Sequence, residues 1–83
     1  MLVRSYIKHI CLKYLRHYSV RRTEQLVARV QKRCGVTEAE VVEALQELVS
    51  QGLLTNPEAD CWRYVTLGER FQAMVKHRNG RQS

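Results

Sequence analysis

The sequence predicts a mainly α-helical domain that carries one small β-hairpin. Three features point to it. Thr37 with Glu40, and Thr66 with Glu69, have the spacing of helix-opening capping boxes. Gly35 and Gly52 close two helical runs. After Gly52 the apolar period shortens from helical to strand-like, with a cluster of turn formers between two β-prone runs. Eighty-three residues support one modest core, so a single domain over 1–78 is expected, followed by a flexible polar tail over 79–83.

A first helix is expected from Leu2 to Tyr18. Val3, Tyr6, Ile7, Ile10, Cys11, Tyr14, Leu15 and Tyr18 recur at helical spacing and make one broad apolar stripe. The breadth of that stripe suggests that part of it packs against a second copy or a partner. Ser19-Val20-Arg21 breaks the period and suits one short strand. Thr23 is the expected N-cap of a second helix reaching Cys34, with Leu26, Val27 and Val30 inward and Gly35 as its left-handed stop.

The third helix opens at Thr37, with Val36 and Val41 placed as a hydrophobic staple, and ends at Gly52. Val41, Val42, Leu45, Leu48 and Val49 make its core face. Leu53-Leu54-Thr55 and Cys61-Trp62-Arg63-Tyr64-Val65 are the expected strands, with Asn56-Pro57-Glu58-Ala59-Asp60 as the turn between them. Trp62 and Arg63 alternate, so one of them faces outward. A last helix follows Thr66, with Leu67, Phe71, Met74 and Val75 inward, and polar residues from His77 onward that fray.

The order is helix, short strand, helix, helix, hairpin, helix, and over nearly its whole length it resembles the winged helix-turn-helix superfamily. The stretch from Thr37 to Leu54, with Ala44-Leu45 and Leu48 in its core face and Gly52-Leu53-Leu54 at its exit, is similar to that family's second helix running into the first wing strand. Tyr64-Val65-Thr66-Leu67-Gly68-Glu69 is similar to the wing exit, with Gly68 one residue earlier than in the commonest version. The resemblance implies the order α1-(β1)-α2-α3-β2-wing-β3-α4 and a module that binds DNA or protein.

Charge divides the chain into blocks. Residues 1–35 carry nine Lys or Arg against one acid, 36–60 carry six acids and no base, and 61–83 carry five bases against one acid. The acidic block holds the third helix, which in the family normally enters the major groove. DNA carries a charge about every 1.7 Å, so an outward stripe of Glu40, Glu43 and Glu47 repels it. Nucleic-acid contact is therefore expected from Arg21, Arg22, Arg29, Lys32, Arg33 and Arg63, extended by Lys76, Arg78 and Arg81 if the chain end folds back. The expected partner is duplex DNA read with little sequence preference, as in a small transcriptional or replication regulator. The alternative is a protein-interaction module, in which Glu40, Glu43 and Glu47 dock a basic partner or the first helix forms a homodimer. The acids have a structural explanation as well: pairing with Arg29, Lys32 or Arg33 of the second helix.

No catalytic constellation, cofactor motif or metal-ligand spacing stands out, so neither an enzyme nor a metal or cofactor site is expected. Cys11, Cys34 and Cys61 are widely spaced and read as small apolar residues of a reducing compartment. No apolar run approaches the roughly 20 residues of a membrane span, and no signal peptide is legible. A cytoplasmic location is expected, nucleoid-associated if the chain binds DNA.

Overall fold

The computed structural model describes the backbone of residues 2–82 and the side-chain surroundings of 3–75. Its elements are α1 (Leu2–Tyr18), β1 (Val20–Arg22), α2 (Thr23–Gln31), α3 (Glu38–Ser50), β2 (Leu54–Glu58), β3 (Cys61–Tyr64) and α4 (Leu67–Gln82). The strands form one antiparallel sheet with β3 in the centre, in the order β1-β3-β2. The helix-rich class and the hairpin are as expected from the sequence. The boundary expected at 78 falls inside α4, and the side chains of 79–83 lie outside the described residues.

Helix α1 contributes Ile7, Ile10, Cys11 and Leu15 to the core. They meet Leu26, Val27 and Val30 of α2, Val41, Ala44, Leu45 and Leu48 of α3, and Leu54 and Trp62 of the sheet. The stripe expected on α1 is too wide for this core: Val3, Tyr6 and Tyr18 stay exposed. Ser19 ends the helix in the left-handed region at φ 72°, and its N–H donates to the Leu15 carbonyl at 2.6 Å. That bond satisfies one of the carbonyls a helix end leaves unpaired.

The start of α2 differs from expectation. Arg22, not Thr23, holds the N-cap position, and its backbone N–H donates to Gln25 Oε1 at 3.0 Å. Thr23 is buried, and its hydroxyl accepts from Trp62 Nε1 at 2.7 Å, so it serves the hairpin instead of its own helix. Its backbone N–H donates to the Asp60 carbonyl at 2.9 Å, tying the same helix end to the hairpin turn.

The end of α2 differs too. The helix stops at Gln31, before Cys34, and Gly35 is not left-handed; Gly52 is the glycine with positive φ, at 80°. The bend toward α3 is instead held by Gln31 Nε2, which donates to the Val36 carbonyl at 3.0 Å. At α3 the capping box forms as expected: Thr37 N–H donates to Glu40 Oε1 at 2.8 Å, and Glu40 N–H to Thr37 Oγ1 at 3.2 Å. Its far end is a Schellman motif, with Gly52 N–H donating to Val49 O and Leu53 N–H to Leu48 O.

The hairpin turn is tighter than the run of turn formers implied. Asn56-Pro57-Glu58 belongs to β2, and Glu58 pairs with Cys61 across Ala59-Asp60. A bulge between Thr55 and Glu58 accommodates Pro57, which cannot donate to a ladder. Asp60 takes φ 61°, a conformation Asp tolerates better than most residues. Trp62 faces the core and Arg63 faces out.

The largest correction concerns α4. Its capping box forms, with Thr66 N–H donating to Glu69 Oε1 at 3.0 Å and Glu69 N–H to Thr66 Oγ1 at 3.1 Å. Of the four apolar residues expected to face inward, three do not: Leu67 is 72% exposed, Phe71 60% and Met74 61%, while Val75 is half-buried. The first three helices and the sheet already close the core, so α4 projects from the body. The radius of gyration, 14.2 Å, accordingly exceeds the roughly 12 Å of a compact chain this long.

Candidate functional site

The surface is organised by which face of α1 each charge occupies. On the side toward α3, Arg4 donates to Glu43 Oε1 at 2.9 Å and to Glu47 Oε2 at 2.7 Å, and Lys8 pairs with Glu47 as well. These hydrogen bonds, first that from Lys8 and then that from Arg4, hold the Glu47 carboxyl below its ordinary range, and Glu47 in turn raises Arg4. Glu43 and Glu47 of α3 are thus paired inside the chain, with α1 and not with Arg29, Lys32 or Arg33, while Glu38 stays exposed in the first turn of the helix. Glu40 is occupied by its capping box.

On its outer side, α1 forms with α2 a groove of about 680 Å³. Lys13, Arg16, Arg29 and Arg33 line it, together with Tyr6, Tyr14 and Tyr18, His9 and His17; among the described residues no acid does. Arg29 lies over the Tyr14 ring at 4.9 Å, and Arg21 over the Tyr18 ring at 4.0 Å. Tyr14 and Tyr18 meet edge to face with centroids 4.9 Å apart. Cation–π contact fixes the guanidinium planes while leaving their N–H groups available to an anion. Arg21 Nη1 donates to the Val20 carbonyl at 3.3 Å, whereas its buried Nε has no partner among the described residues.

The six bases singled out in the sequence therefore do not form one patch. Arg21, Arg29 and Arg33 come together at the groove. Arg22 lies at a smaller depression beside Glu24, Glu38 and Asp60, where its charge is offset. Lys32 is exposed and lines neither depression. Arg63 pairs with Glu69, its Nη1 donating to Glu69 Oε1 at 3.0 Å and its Nη2 lying 3.0 Å from Oε2. That hydrogen bond, helped by the Thr66 backbone N–H, draws the Glu69 carboxyl down to about 2. Lys76, Arg78 and Arg81 lie outside the residues whose side chains are described.

Sequence reasoning missed the contribution of α1. Lys13 and Arg16 are not among the contacts expected from the sequence, and Tyr6, Tyr14 and Tyr18 count there as part of the apolar stripe. The signal was present in the second face of the helix: Tyr6, His9, Lys13 and Arg16/His17 follow the three- and four-residue spacing of one stripe.

Among the described residues no group of three or more His, Cys, Asp or Glu is placed to hold a metal ion. No helix there is long and apolar enough to cross a membrane. Cys11 is fully buried, and burial pushes its thiol up to about 12; Cys34 and Cys61 are half-buried, and all three are free thiols. Comparison of the chain with protein-family models, curated proteins and solved structures gives no match.

Proposed function

We propose that the chain is a winged-helix module that binds nucleic acid, as a small transcriptional or replication regulator, through the basic groove of α1 and α2. The observation that carries this is the acid-free groove, in which Lys13, Arg16, Arg29 and Arg33 converge with Arg21 at its edge. The winged-helix assignment is supported by the element order and by the central position of β3, with β2 and β3 as the wing. Helix α3 is a poor reading head: it carries no base, Glu43 and Glu47 are engaged with Arg4 and Lys8, Glu40 is in the capping box, and Glu38 adds an exposed acid that repels phosphate.

Phosphate contacts position a protein without reading bases, so binding is largely independent of sequence and steep in salt. If five cations each displace a counterion, log K falls with log salt with a slope of about −4.5 on duplex and about −3.5 on single strands. Fluorescence anisotropy of labelled oligonucleotides over a salt series tests this. Arg29→Glu with Arg33→Glu is expected to abolish binding, and absence of binding by the unaltered chain at low salt would sink the proposal.

A second reading, a protein-interaction module, is favoured by the exposed stripe Leu67, Phe71 and Met74 on α4. It differs from the expected docking through Glu43 and Glu47, whose charge is compensated within the chain. A homodimer through α1 would have to use Val3, Tyr6 and Tyr18, which remain exposed. Sedimentation of the intact chain across concentration separates a self-associating module from a monomeric nucleic-acid binder.

A further inference from the structure

We infer that the groove along α1 and α2 selects single-stranded nucleic acid, with unpaired bases against the Tyr6 and Tyr18 rings and phosphates against the surrounding Lys and Arg. The inference rests on the nucleic-acid reading above and narrows its ligand from the duplex expected of the sequence. Two separate properties of the groove point the same way.

The first is where the rings sit. Tyr6 and Tyr18 are 43% and 46% exposed, whereas Ile7, Ile10, Cys11 and Leu15 of the same helix are buried. They occupy the same groove as the cations instead of sealing the core. Tyr6 and Tyr18 are twelve residues apart on one helix, so they lie about 18 Å apart along its axis. That arrangement offers a platform at each end, with Lys13 and Arg16 between them. Tyrosine stacks on any base, because every base has a π-face, and such stacking contributes about 1–3 kcal/mol per base.

The second is shape. A paired duplex presents phosphates and groove edges, and its bases are already stacked on one another, so it cannot place a base face on a tyrosine ring. The guanidinium of Arg21, seated on one face of Tyr18, and that of Arg29, seated on the neighbouring Tyr14, put positive charge beside the Tyr18 platform. A single strand carries an unpaired base beside each phosphate. An acidic peptide would satisfy the charges and leave the rings without a stacking partner.

The test uses the full chain with labelled single-stranded DNA and RNA 20-mers and the duplex of the same sequence, by anisotropy at low salt. Single strands are expected to bind at least tenfold more tightly than duplex. Tyr6→Leu and Tyr18→Leu should each weaken single-strand binding roughly five- to hundredfold, the range that stacking on one ring spans. Tyr18→Phe, which keeps the ring under Arg21, should keep it. Both tyrosines are exposed, so the variants fold, which circular dichroism checks. Duplex bound as tightly as single strand, or single-strand binding indifferent to both leucine variants, overturns the inference and leaves nucleic-acid binding standing. No retention of any of these oligonucleotides overturns both.

Discussion

The indole N–H of Trp62 donates to the hydroxyl of Thr23 across 2.7 Å inside the core, joining the central strand to the first turn of α2. The two residues are 39 positions apart, and this bond gives the buried indole its polar partner. Thr23→Val keeps the shape and removes the acceptor. Because a buried donor left unpaired costs about 1–3 kcal/mol, the variant should lose about that much stability. Thr23→Ser should lose much less of it. Urea unfolding of the three proteins decides this, and an unchanged midpoint for Thr23→Val would show that the bond is immaterial.

The two glycines that close helical runs in the sequence should behave oppositely. A Cβ at either position meets nothing within 4 Å, so only backbone conformation separates them. Gly52 sits at φ 80°, where an L residue is strained, and Gly52→Ala should cost about 1–2 kcal/mol. Gly35 has no positive φ, and Gly35→Ala should be neutral or stabilising by about 0.4–1 kcal/mol through the unfolded chain. Thermal melts of the pair are sufficient.

Acid should release the Arg63–Glu69 pair late. The folded carboxyl of Glu69 lies at about 2 against an ordinary 4.5, so its folded pKa is depressed. Its stabilising contribution is therefore full above about 4.5 and is lost as pH falls from there toward 2. Glu69→Gln should lower the melting temperature at neutral pH, and the gap to the unaltered chain should close over that acidic window. A gap that stays constant with pH would rule out the charged pair as its source.

Packing predicts a sharp contrast between apolar positions. Leu45 is fully buried, and Leu45→Ala should cost about 2–5 kcal/mol from lost burial and the cavity left behind. Phe71 is 60% exposed, and Phe71→Ala should fall within about ±0.5 kcal/mol, as for surface changes. A large loss at Phe71, measured by urea unfolding at low protein concentration, would mean that α4 packs on the body in solution.

The cysteines should divide in thiol labelling. Cys34 and Cys61 are half-buried and should react with a maleimide under native conditions. Cys11 has no exposed surface, and its thiol is pushed up to about 12, which leaves almost no thiolate at neutral pH. It should label only at the rate of opening of the core. Mass spectrometry after timed quenching shows whether a slow third adduct exists.

Local signals translated well into local structure. Thr37 with Glu40, and Thr66 with Glu69, form the boxes that their spacing announces, because each involves one turn of chain. What failed was assignment across elements. Thr23 has the sequence context of an N-cap, yet the approach of Trp62 gives its hydroxyl another partner. Phe71 and Met74 have core spacing, but periodicity shows that a helix has an apolar side and not that anything covers it.

The helix-rich class with its hairpin, the starts of α3 and α4, the Gly52 stop and the three-block charge pattern were legible in the sequence alone, since their signals lie in residues close together in the chain. The distribution of charge over the surface was decided only by the tertiary structure. Packing of α1 against α3 brings Arg4 and Lys8 onto Glu43 and Glu47, which compensates two carboxylates of the helix expected to meet a partner. The same packing turns Tyr6, Lys13 and Arg16 outward to meet Arg29 and Arg33 of α2. Ion pairs and grooves form between side chains far apart in the chain, so their positions follow from which faces the core leaves over.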